Sequence, residues 1–312
     1  MALGLLIGSF LNVVIHRLPK MMERDWRAQC AEFAAEDAVR AEAAASGATL
    51  ETAAFTTGSV APAPVAAAPE KYNLVVPRSA CPKCRRQIRA IENIPVVSWL
   101  VLRGKCAGCG NPISKRYPFV ELLTGVMFGA VAWKFGFGWP ALCGLVLTSF
   151  LVALAFIDID TQLLPDALTF PLIWLGVVAA LIFGPASPAE VTGQPIPVDL
   201  RSSVIGAVAG YMSLWLIYHL FRLLTGKEGM GYGDFKLLAA IGAWLGWTML
   251  LPTILFSAAV GAVSGIAILS MQKKERSTPI SFGPFLAAAG WLMLMWGHEV
   301  VNGYLGLFAR HP

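Results

Sequence analysis

Long apolar runs alternate with short polar stretches through the second half of the chain. They predict membrane-spanning helices at about 117–136, 139–157, 167–184, 202–222, 235–250, 251–271 and 284–306. A helix needs ~20 apolar residues to cross a bilayer, and most of these runs come close to that length. The stretch from Phe235 to Met271 is too long for one span, and Gly246 with Pro252 predicts a break inside it.

An earlier apolar run, Ala2 to Ile15, is interpreted as the first span, although it is shorter than a bilayer crossing requires. We expect this helix to enter at an angle, or the chain to lack some residues at its start. Gly4, Gly8 and Ser9 are small residues of the kind that let membrane helices pack closely. With this run included, the chain is predicted to have about eight transmembrane helices.

A long polar region, 17–116, separates the first span from the others. Its part at 21–45 is charged and Ala-rich and is predicted to be helical. The part at 46–69 is rich in Ala, Thr and Pro and predicts a flexible linker. The part at 71–116 holds four cysteines and is interpreted as a separate small module. The predicted domains are therefore a first helix (1–16), a polar region with its module (17–116) and a membrane core (117–312).

The composition supports a polytopic membrane protein. Of 312 residues, 56% are hydrophobic and only 14% are charged, whereas soluble domains have about 25% charged residues. The net charge of +5 is modest and gives no basis for nucleic-acid binding. No basic stretch precedes the first apolar run, so a cleavable signal peptide is not expected. The predicted fold class is an all-α polytopic membrane protein with a small domain inserted after the first helix.

The distribution of Lys and Arg predicts the orientation, because basic loops stay in the cytoplasm. The region 17–116 holds fifteen of them, and the loops at 222–236 and 272–283 add six on the same side. The opposite side has only Lys134, Arg201 and Arg310. The polar region is therefore predicted to be cytoplasmic, and Asp158 and Asp234 fall on the same face.

Four of the six cysteines form two Cys-x-x-Cys pairs, Cys81 with Cys84 and Cys106 with Cys109, separated by 21 residues. Thiolates on two tight turns can form the tetrahedral four-sulfur shell that suits zinc, and a reducing cytoplasm disfavours disulfides. Four protein ligands leave no open position, so the zinc is predicted to be structural. The alternative interpretation is two redox-active or unliganded pairs.

Two acidic segments lie where apolar runs meet the predicted cytoplasmic face. Asp158 ends one run, and Asp234 opens another within Gly-Met-Gly-Tyr-Gly-Asp. Ionisable residues at such positions are uncommon and point to function. Two carboxyl groups from separate helices can share a proton and converge on one water, with one acting as base and the other donating to a carbonyl. The alternative is two helix caps at the membrane boundary.

The residues around these two carboxylates receive simpler interpretations. Asp166 is predicted to be the N-cap of the following helix, and Asp160 to be solvated in the loop. Gly229, Gly231 and Gly233 predict a sharp turn that leaves space for another chain to approach.

Other functions are weighed against the same residues. The sequence has no Gly-x-Ser-x-Gly, no His-Glu-x-x-His and no Walker loop, so serine hydrolases, zincins and nucleotide hydrolases lose support. A proton- or cation-coupled transporter that uses the two aspartates predicts carboxylates near the bilayer centre and repeated halves of the chain. A membrane scaffold whose zinc module recruits a partner predicts that both aspartates are dispensable.

Several further segments form one pattern with the cysteine pairs. They are Gly8–Val14 with Arg17–Pro19, Asn93–Pro95 with Ser98 and Trp99, Arg116–Pro118 with Glu121, Ile157–Asp166, and Gly229–Lys236. In this combination, which covers nearly the whole length, the chain resembles the type IV prepilin peptidases. These are bifunctional leader peptidases and N-methyltransferases of bacterial pilus and type II secretion systems.

The resemblance implies an intramembrane-type aspartyl protease with a Gly-x-Gly-Asp signature, in which Asp158 and Asp234 are the catalytic pair. Its substrates would be prepilins or pseudopilins, cut after a glycine that ends a short basic leader. The enzyme would lie in the bacterial inner membrane, in contact with lipid and with the pilus or type II secretion machinery. Its aspartates and zinc module would face the cytoplasm.

The resemblance also implies a second activity, in which S-adenosylmethionine methylates the new amino terminus, usually a phenylalanine. In the family this activity is associated with the cytoplasmic cysteine domain. The glycine that precedes the second cysteine pair corresponds to Gly104 and is carried over as a cofactor-binding candidate. No Gly-x-Gly-x-x-Gly fingerprint places the cofactor in this sequence.

Overall fold

The computed structural model describes residues 1–46, 72–185, 196–227, 229–272 and 281–308. Within them the chain is helical, with two isolated β-bridges and no strand, which confirms the predicted all-α fold. The predicted linker beyond Ser46 and the basic residues Lys273, Lys274 and Arg276 fall outside these ranges.

Nine α-helices are present in those ranges. They are α1 (Ala2–Ser46), α2 (Val97–Val101), α3 (Arg116–Phe135), α4 (Trp139–Thr161), α5 (Asp166–Phe183), α6 (Leu200–Thr225), α7 (Tyr232–Leu245), α8 (Leu250–Gln272) and α9 (Gly283–Phe308). Short 3-10 helices at Ala90–Asn93 and Trp247–Met249 precede α2 and α8. From α3 onward, the predicted boundaries differ from these by at most five residues.

Helix α1 is longer than the first span predicted from the sequence. The apolar run at 2–15 and the predicted helix at 21–45 are parts of one continuous helix, with Pro19 inside it. By its internal contacts the chain divides into two compact units, one formed by Met1–Ile15 with Ala90–Pro312 and the other by His16–Arg89.

In the smaller unit, the buried Arg17 holds the segment that precedes the first cysteine pair. Its guanidinium donates to the carbonyl oxygen of Asn73 at 3.0 Å and to that of Pro77 at 2.6 Å. The guanidinium of Arg24 lies over the Tyr72 ring, 4.1 Å from its centroid. Because a buried guanidinium must keep its N–H groups hydrogen-bonded, these contacts fix residues 72–77 against α1.

The predicted break between the sixth and seventh apolar runs is present. Helix α7 ends at Leu245, and Gly246 adopts a left-handed backbone with φ of 83°. Glycine adopts this conformation at no steric cost. The chain then makes a 3-10 turn and enters α8, whose first turn contains Pro252.

Six helices are long and apolar enough to cross a membrane in the part of the chain described. They are Ala2–Ala38, Arg116–Phe135, Trp139–Thr161, Asp166–Phe183, Leu200–Thr225 and Trp247–Ala267. Helices α7 and α9 are not among them, and α7 has only 14 residues. The protein is therefore a multi-pass helical membrane protein, and the expected total of about eight spans stays a prediction.

Helix α7 is buried along nearly its whole length, from Asp234 to Leu245, with Lys236 the one partly exposed residue of that stretch. It packs against α5, α6 and α9. Two hydrogen bonds fix its rotation: the Ser203 hydroxyl donates to the carbonyl of Ala243 at 2.7 Å, and the Trp244 indole donates to the carbonyl of Leu172 at 2.8 Å.

Helices α6 and α7 touch through their backbones. A Cβ on Gly206 or on Gly242 would overlap the carbonyl oxygen of the other glycine, and a Cβ on Gly210 would lie 2.7 Å from the carbonyl oxygen of Leu238. Small residues of this kind let membrane helices approach closely.

The predicted close packing of the first span is also present. A Cβ on Gly4 would lie 2.7 Å from the Cβ of Phe128, and one on Gly8 would lie 2.7 Å from the Cα of Glu121. Both neighbours belong to α3, so the amino-terminal part of α1 and α3 are in direct contact.

We predict that Gly242→Ala lowers the thermal unfolding midpoint of the purified protein. The added methyl group overlaps a backbone carbonyl that cannot move without separating α6 from α7, and overpacking of this kind costs about 1–3 kcal/mol. Gly303→Ala is the matched control, because nothing lies within 4 Å of a Cβ at that helical position. It should leave the midpoint unchanged or raise it slightly, and equal midpoints for the two variants would contradict the packing argument.

Candidate active site

Asp158 lies in the last turn of α4, as predicted from the end of its apolar run. The helix ends at Thr161 and is capped by Gln162, which adopts a left-handed backbone and donates its N–H to the carbonyl oxygen of Asp158 at 2.9 Å. The side chain of Asp158 is only 5% exposed. It points away from solvent and toward the start of α9, where it accepts from the Ser281 hydroxyl and the Gly283 backbone.

Asp234 is the third residue of α7 and is 7% exposed. Its carboxylate hydrogen-bonds to the backbone of Gly231, the residue before the helix begins. An acidic residue in the first turn of a helix commonly bonds in this way to the backbone of the N-cap residue. Asp234 therefore also helps to cap α7, as the alternative interpretation predicted. The nearest atom to a Cβ on Gly231 would be Asp234 Oδ2, at 4.0 Å, so there is space beside this carboxylate.

The two carboxyl groups come together, although α4 and α7 are separate elements. They are close enough for the charge of Asp158 to act on Asp234. Leu164 connects their surroundings, because a Cβ on Gly233 or on Gly283 would collide with or press on its side chain. Two buried carboxyl groups whose charges act on each other resist ionising together, so one can stay protonated while the other acts as a base.

Of the two simpler predictions for neighbouring carboxylates, the one for Asp166 is wrong and the one for Asp160 is confirmed in part. Asp166 is not an N-cap: Pro165 holds that position, and Asp166 is the first residue of α5. The Asp166 carboxylate pairs instead with Lys236 at 2.5 Å. Asp160 is exposed, as predicted, but it lies on α4 and not in the loop, and its carboxylate pairs with Arg116 at 2.5 Å. Both ion pairs bring charges together from helices that are distant in the sequence.

Sequence reasoning did not single out Ser281, although its hydroxyl donates directly to Asp158 Oδ2. The available signal was a serine two residues before the Gly283-Pro284 start of the last apolar run, which is typical of a helix beginning. That signal marks a boundary and says nothing of a partner 123 positions earlier.

Each cysteine pair lies on a tight turn. In the first, the N–H of Cys81 donates to the carbonyl of Arg86 at 3.0 Å and the N–H of Arg85 returns to that of Cys81 at 2.9 Å. In the second, the N–H of Cys106 donates to the carbonyl of Asn111 at 2.8 Å and that of Gly110 returns to Cys106 at 2.9 Å. The two turns therefore share one hydrogen-bonding pattern.

The four sulfur atoms of Cys81, Cys84, Cys106 and Cys109 all lie within 4.8 Å of one another. Tetrahedral zinc with bonds of about 2.3 Å separates its sulfur ligands by about 3.8 Å, so the cluster fits this ion. The predicted four-cysteine site is thus brought together, and it is compatible with structural zinc.

Gly104 has a packing role of its own. Its backbone is left-handed, with φ of 67°, and a Cβ would lie 2.8 Å from the Trp99 ring. Its N–H donates to the carbonyl of Trp99 at 2.8 Å, and its carbonyl accepts from Ile113 at 2.7 Å. These contacts explain a glycine here without a cofactor, and the predicted role in cofactor binding stays a prediction.

A buried polar network lies beside the module and includes residues of two further segments on which the family resemblance depends. The Glu121 carboxylate accepts from the N–H of Val96 at 2.7 Å and from the Ser9 hydroxyl. The Asn12 amide donates to the carbonyl of Tyr117 at 3.1 Å. The network joins α1 and α3 to the residue that precedes α2.

Two family models together match most of the chain. Residues 2–135 match the Bacterial Peptidase A24 N-terminal domain, and residues 145–266 match the Type IV leader peptidase family. The second range includes Asp158 and Asp234, and the first includes the four cysteines. No solved structure matches the chain.

Three relatives carry the name prepilin leader peptidase/N-methyltransferase. The protein of Stutzerimonas stutzeri is 50% identical, over 99% of this chain and 93% of its own. That of Pseudomonas aeruginosa is 50% identical, over 97% and 91%, and that of Neisseria gonorrhoeae is 47% identical, over 99% and 93%.

Fold and site together define a multi-pass helical membrane protein with a buried pair of carboxyl groups and a four-cysteine module. Given the matches along nearly its whole length, the chain belongs to the prepilin leader peptidase/N-methyltransferase family.

We predict that Cys84→Ser and Cys106→Ser each reduce bound zinc from about one ion per chain to well below that, because a structural site binds through all four thiolates. Elemental analysis of the purified protein measures the ion, and thermal unfolding should show an earlier transition. Cys30→Ser is the control, since Cys30 is exposed on α1 and outside the cluster. Wild-type protein without zinc would overturn the assignment of the metal.

Proposed function

We propose that this protein cleaves the basic leader from prepilins and pseudopilins and methylates the new amino terminus. The observation that supports cleavage most directly is the pair of buried carboxyl groups, Asp158 and Asp234, held together at the ends of two helices. Membership of the family and the names of the relatives support both activities.

Cleavage proceeds by general acid–base attack of water on the scissile peptide bond. One carboxylate of the pair takes a proton from the water as its oxygen bonds to the carbonyl carbon. The other, protonated, carboxyl group donates to the carbonyl oxygen. When the C–N bond breaks, a proton passes to the leaving nitrogen, so that the products are a carboxylic acid and an amine. No covalent enzyme intermediate forms.

The substrate is a prepilin whose apolar helix lies in the bilayer and whose leader projects into the cytoplasm. Its helix packs against those of the enzyme, and its scissile bond enters beside the carboxyl pair. The glycine-rich turn that leads into α7 leaves space there, since a Cβ on Gly231 has no neighbour closer than 4.0 Å. A backbone, rather than a bulky side chain, fits this approach.

The family match and the names of the relatives favour the protease over the transporter. Asp158 lies in the last turn of α4 and Asp234 in the first turn of α7, so neither carboxylate is at the middle of its helix. A coupled transporter would place them near the centre of the membrane.

The protein lies in the bacterial inner membrane with the carboxyl pair and the cysteine module facing the cytoplasm, in contact with the pilus or type II secretion machinery.

Methyl transfer uses S-adenosylmethionine, which supplies the methyl group when bound. Gly104 alone makes no cradle for it, because the Trp99 ring occupies the position of its missing Cβ. Gly104 therefore has a structural role in the module, and no step of the methyl transfer is assigned to it.

We predict that Asp158→Asn and Asp234→Asn each reduce prepilin cleavage by about 10²–10⁴-fold, because each removes one partner of the acid–base pair. Purified proteins in detergent are incubated with a prepilin-like substrate and S-adenosylmethionine, and products are weighed by mass spectrometry. Asp160→Asn is the matched control: it lies on the same helix, but its carboxylate pairs with Arg116 at the surface.

Wild-type protein should yield a product one methyl group heavier than the cleaved pilin. Substantial cleavage by both variants would make the aspartates structural and the proposed mechanism wrong. Cleavage without an added methyl group would leave the protease intact and remove the second activity.

We predict that Gly104→Ala reduces methylation more than cleavage, with zinc retained. The methyl group presses on Trp99 and disturbs the module, whereas the carboxyl pair lies elsewhere. Gly110→Ala is the control, since Gly110 has a similar φ of 70° but nothing within 4 Å of its Cβ position. Equal loss of both activities in Gly104→Ala would contradict the assignment of methylation to the cysteine module and of cleavage to the carboxyl pair.

A further inference from the structure

The Asp158 carboxylate is hydrogen-bonded to the residues where α9 begins. The Ser281 hydroxyl donates to Asp158 Oδ2, and the backbone of Gly283 hydrogen-bonds to the same carboxyl group. Ser281 and Asp158 are 123 positions apart, so the contact exists only in the folded bundle. Gly283 is the first residue of a 26-residue helix, and Ser281 lies two residues before it.

Gly283 lets this helix begin so close to the carboxylate. A Cβ at this position would collide with Asp158 Oδ2 and would press on the Leu164 side chain. The amino-terminal end of a helix carries a partial positive charge, which favours a carboxylate against it. The contact is therefore sterically specific and electrostatically favourable.

One oxygen of Asp158 is thereby fixed. Oδ2 faces Ser281 and Gly283, so these contacts hold the plane of the carboxylate, and turning the group out of this plane would break the hydroxyl contact. Oδ1 is the oxygen that does not accept from the Ser281 hydroxyl. A general base works only when its basic oxygen is held within hydrogen-bonding reach of the proton that it removes.

We propose that Ser281 is a positioning residue for peptide-bond hydrolysis, whose hydroxyl holds Asp158 so that Oδ1 meets the reacting water. This inference rests on the proposed function of the carboxyl pair. Ser281 does not itself touch the reacting atoms; it acts through Asp158.

The test compares cleavage kinetics of Ser281→Ala and Ser281→Thr in the full-length protein. Ser281→Ala should lower kcat about 10-fold, the loss typical of a hydrogen bond to a charged group, and KM should change by less than about 2-fold. Ser281→Thr retains a hydroxyl at the same place and should recover most of the rate. Methylation of a pre-cleaved pilin peptide should be unchanged in both variants.

Ser149→Ala is the matched control. Ser149 is also a partly buried serine and lies on α4, but its hydroxyl donates to the carbonyl of Leu145, at 2.8 Å, within its own helix. Its kcat should equal that of wild type. Thermal unfolding of each variant separates loss of orientation from loss of fold, and Ser281→Ala should keep the wild-type midpoint.

Two results would overturn the inference: a wild-type kcat in Ser281→Ala, or equal loss in Ser281→Ala and Ser281→Thr, which would show that the hydroxyl is not what matters. Asp158→Asn is measured alongside. If it cuts at the wild-type rate, the proposed function itself fails. If it is inactive while Ser281→Ala is unimpaired, only the role of Ser281 is withdrawn.

Discussion

The backbone contact between α6 and α7 decides where Asp234 lies. Gly206 and Gly242 bring the two helices together so closely that neither position accepts a Cβ. Hydrogen bonds from Ser203 and from the Trp244 indole then fix the rotation and depth of α7. Asp234 is eight residues before Gly242 on the same helix, a rise of about 12 Å. Packing contacts that lie well away from the reacting atoms therefore set the position of its carboxylate.

Asp158 is placed in a different way. Its helix ends just beyond it, and its carboxylate is held from outside by the start of α9. One carboxyl group is therefore carried on a buried helix, and the other is bound by an opposing helix end. A pair supported by independent elements can be kept together even though the two charges repel, because the cost is distributed over the packing of the whole bundle.

The sequence predicted those parts of the site that are carried by local patterns. Cys-x-x-Cys spacing, a carboxylate at the end of an apolar run and Gly-x-Gly-Asp are all visible within a few residues. The partners of Asp160, Asp166 and Asp158 could not be predicted, since they lie 44, 70 and 123 positions away. The enclosure of α7 could not be predicted for another reason: hydropathy does not distinguish a helix that faces lipid from one enclosed by other helices.

The shortness of α7 has a consequence for assembly. With 14 residues it is shorter than the ~20 needed to cross a bilayer alone, so it gains little by inserting as an independent span. Its stable position exists only when neighbouring helices surround it, and Asp234 travels with it. The carboxyl pair is therefore complete only after the bundle has closed. A nascent or partly inserted chain would carry both aspartates and yet have no assembled site that activates water, so it could not cut the proteins around it.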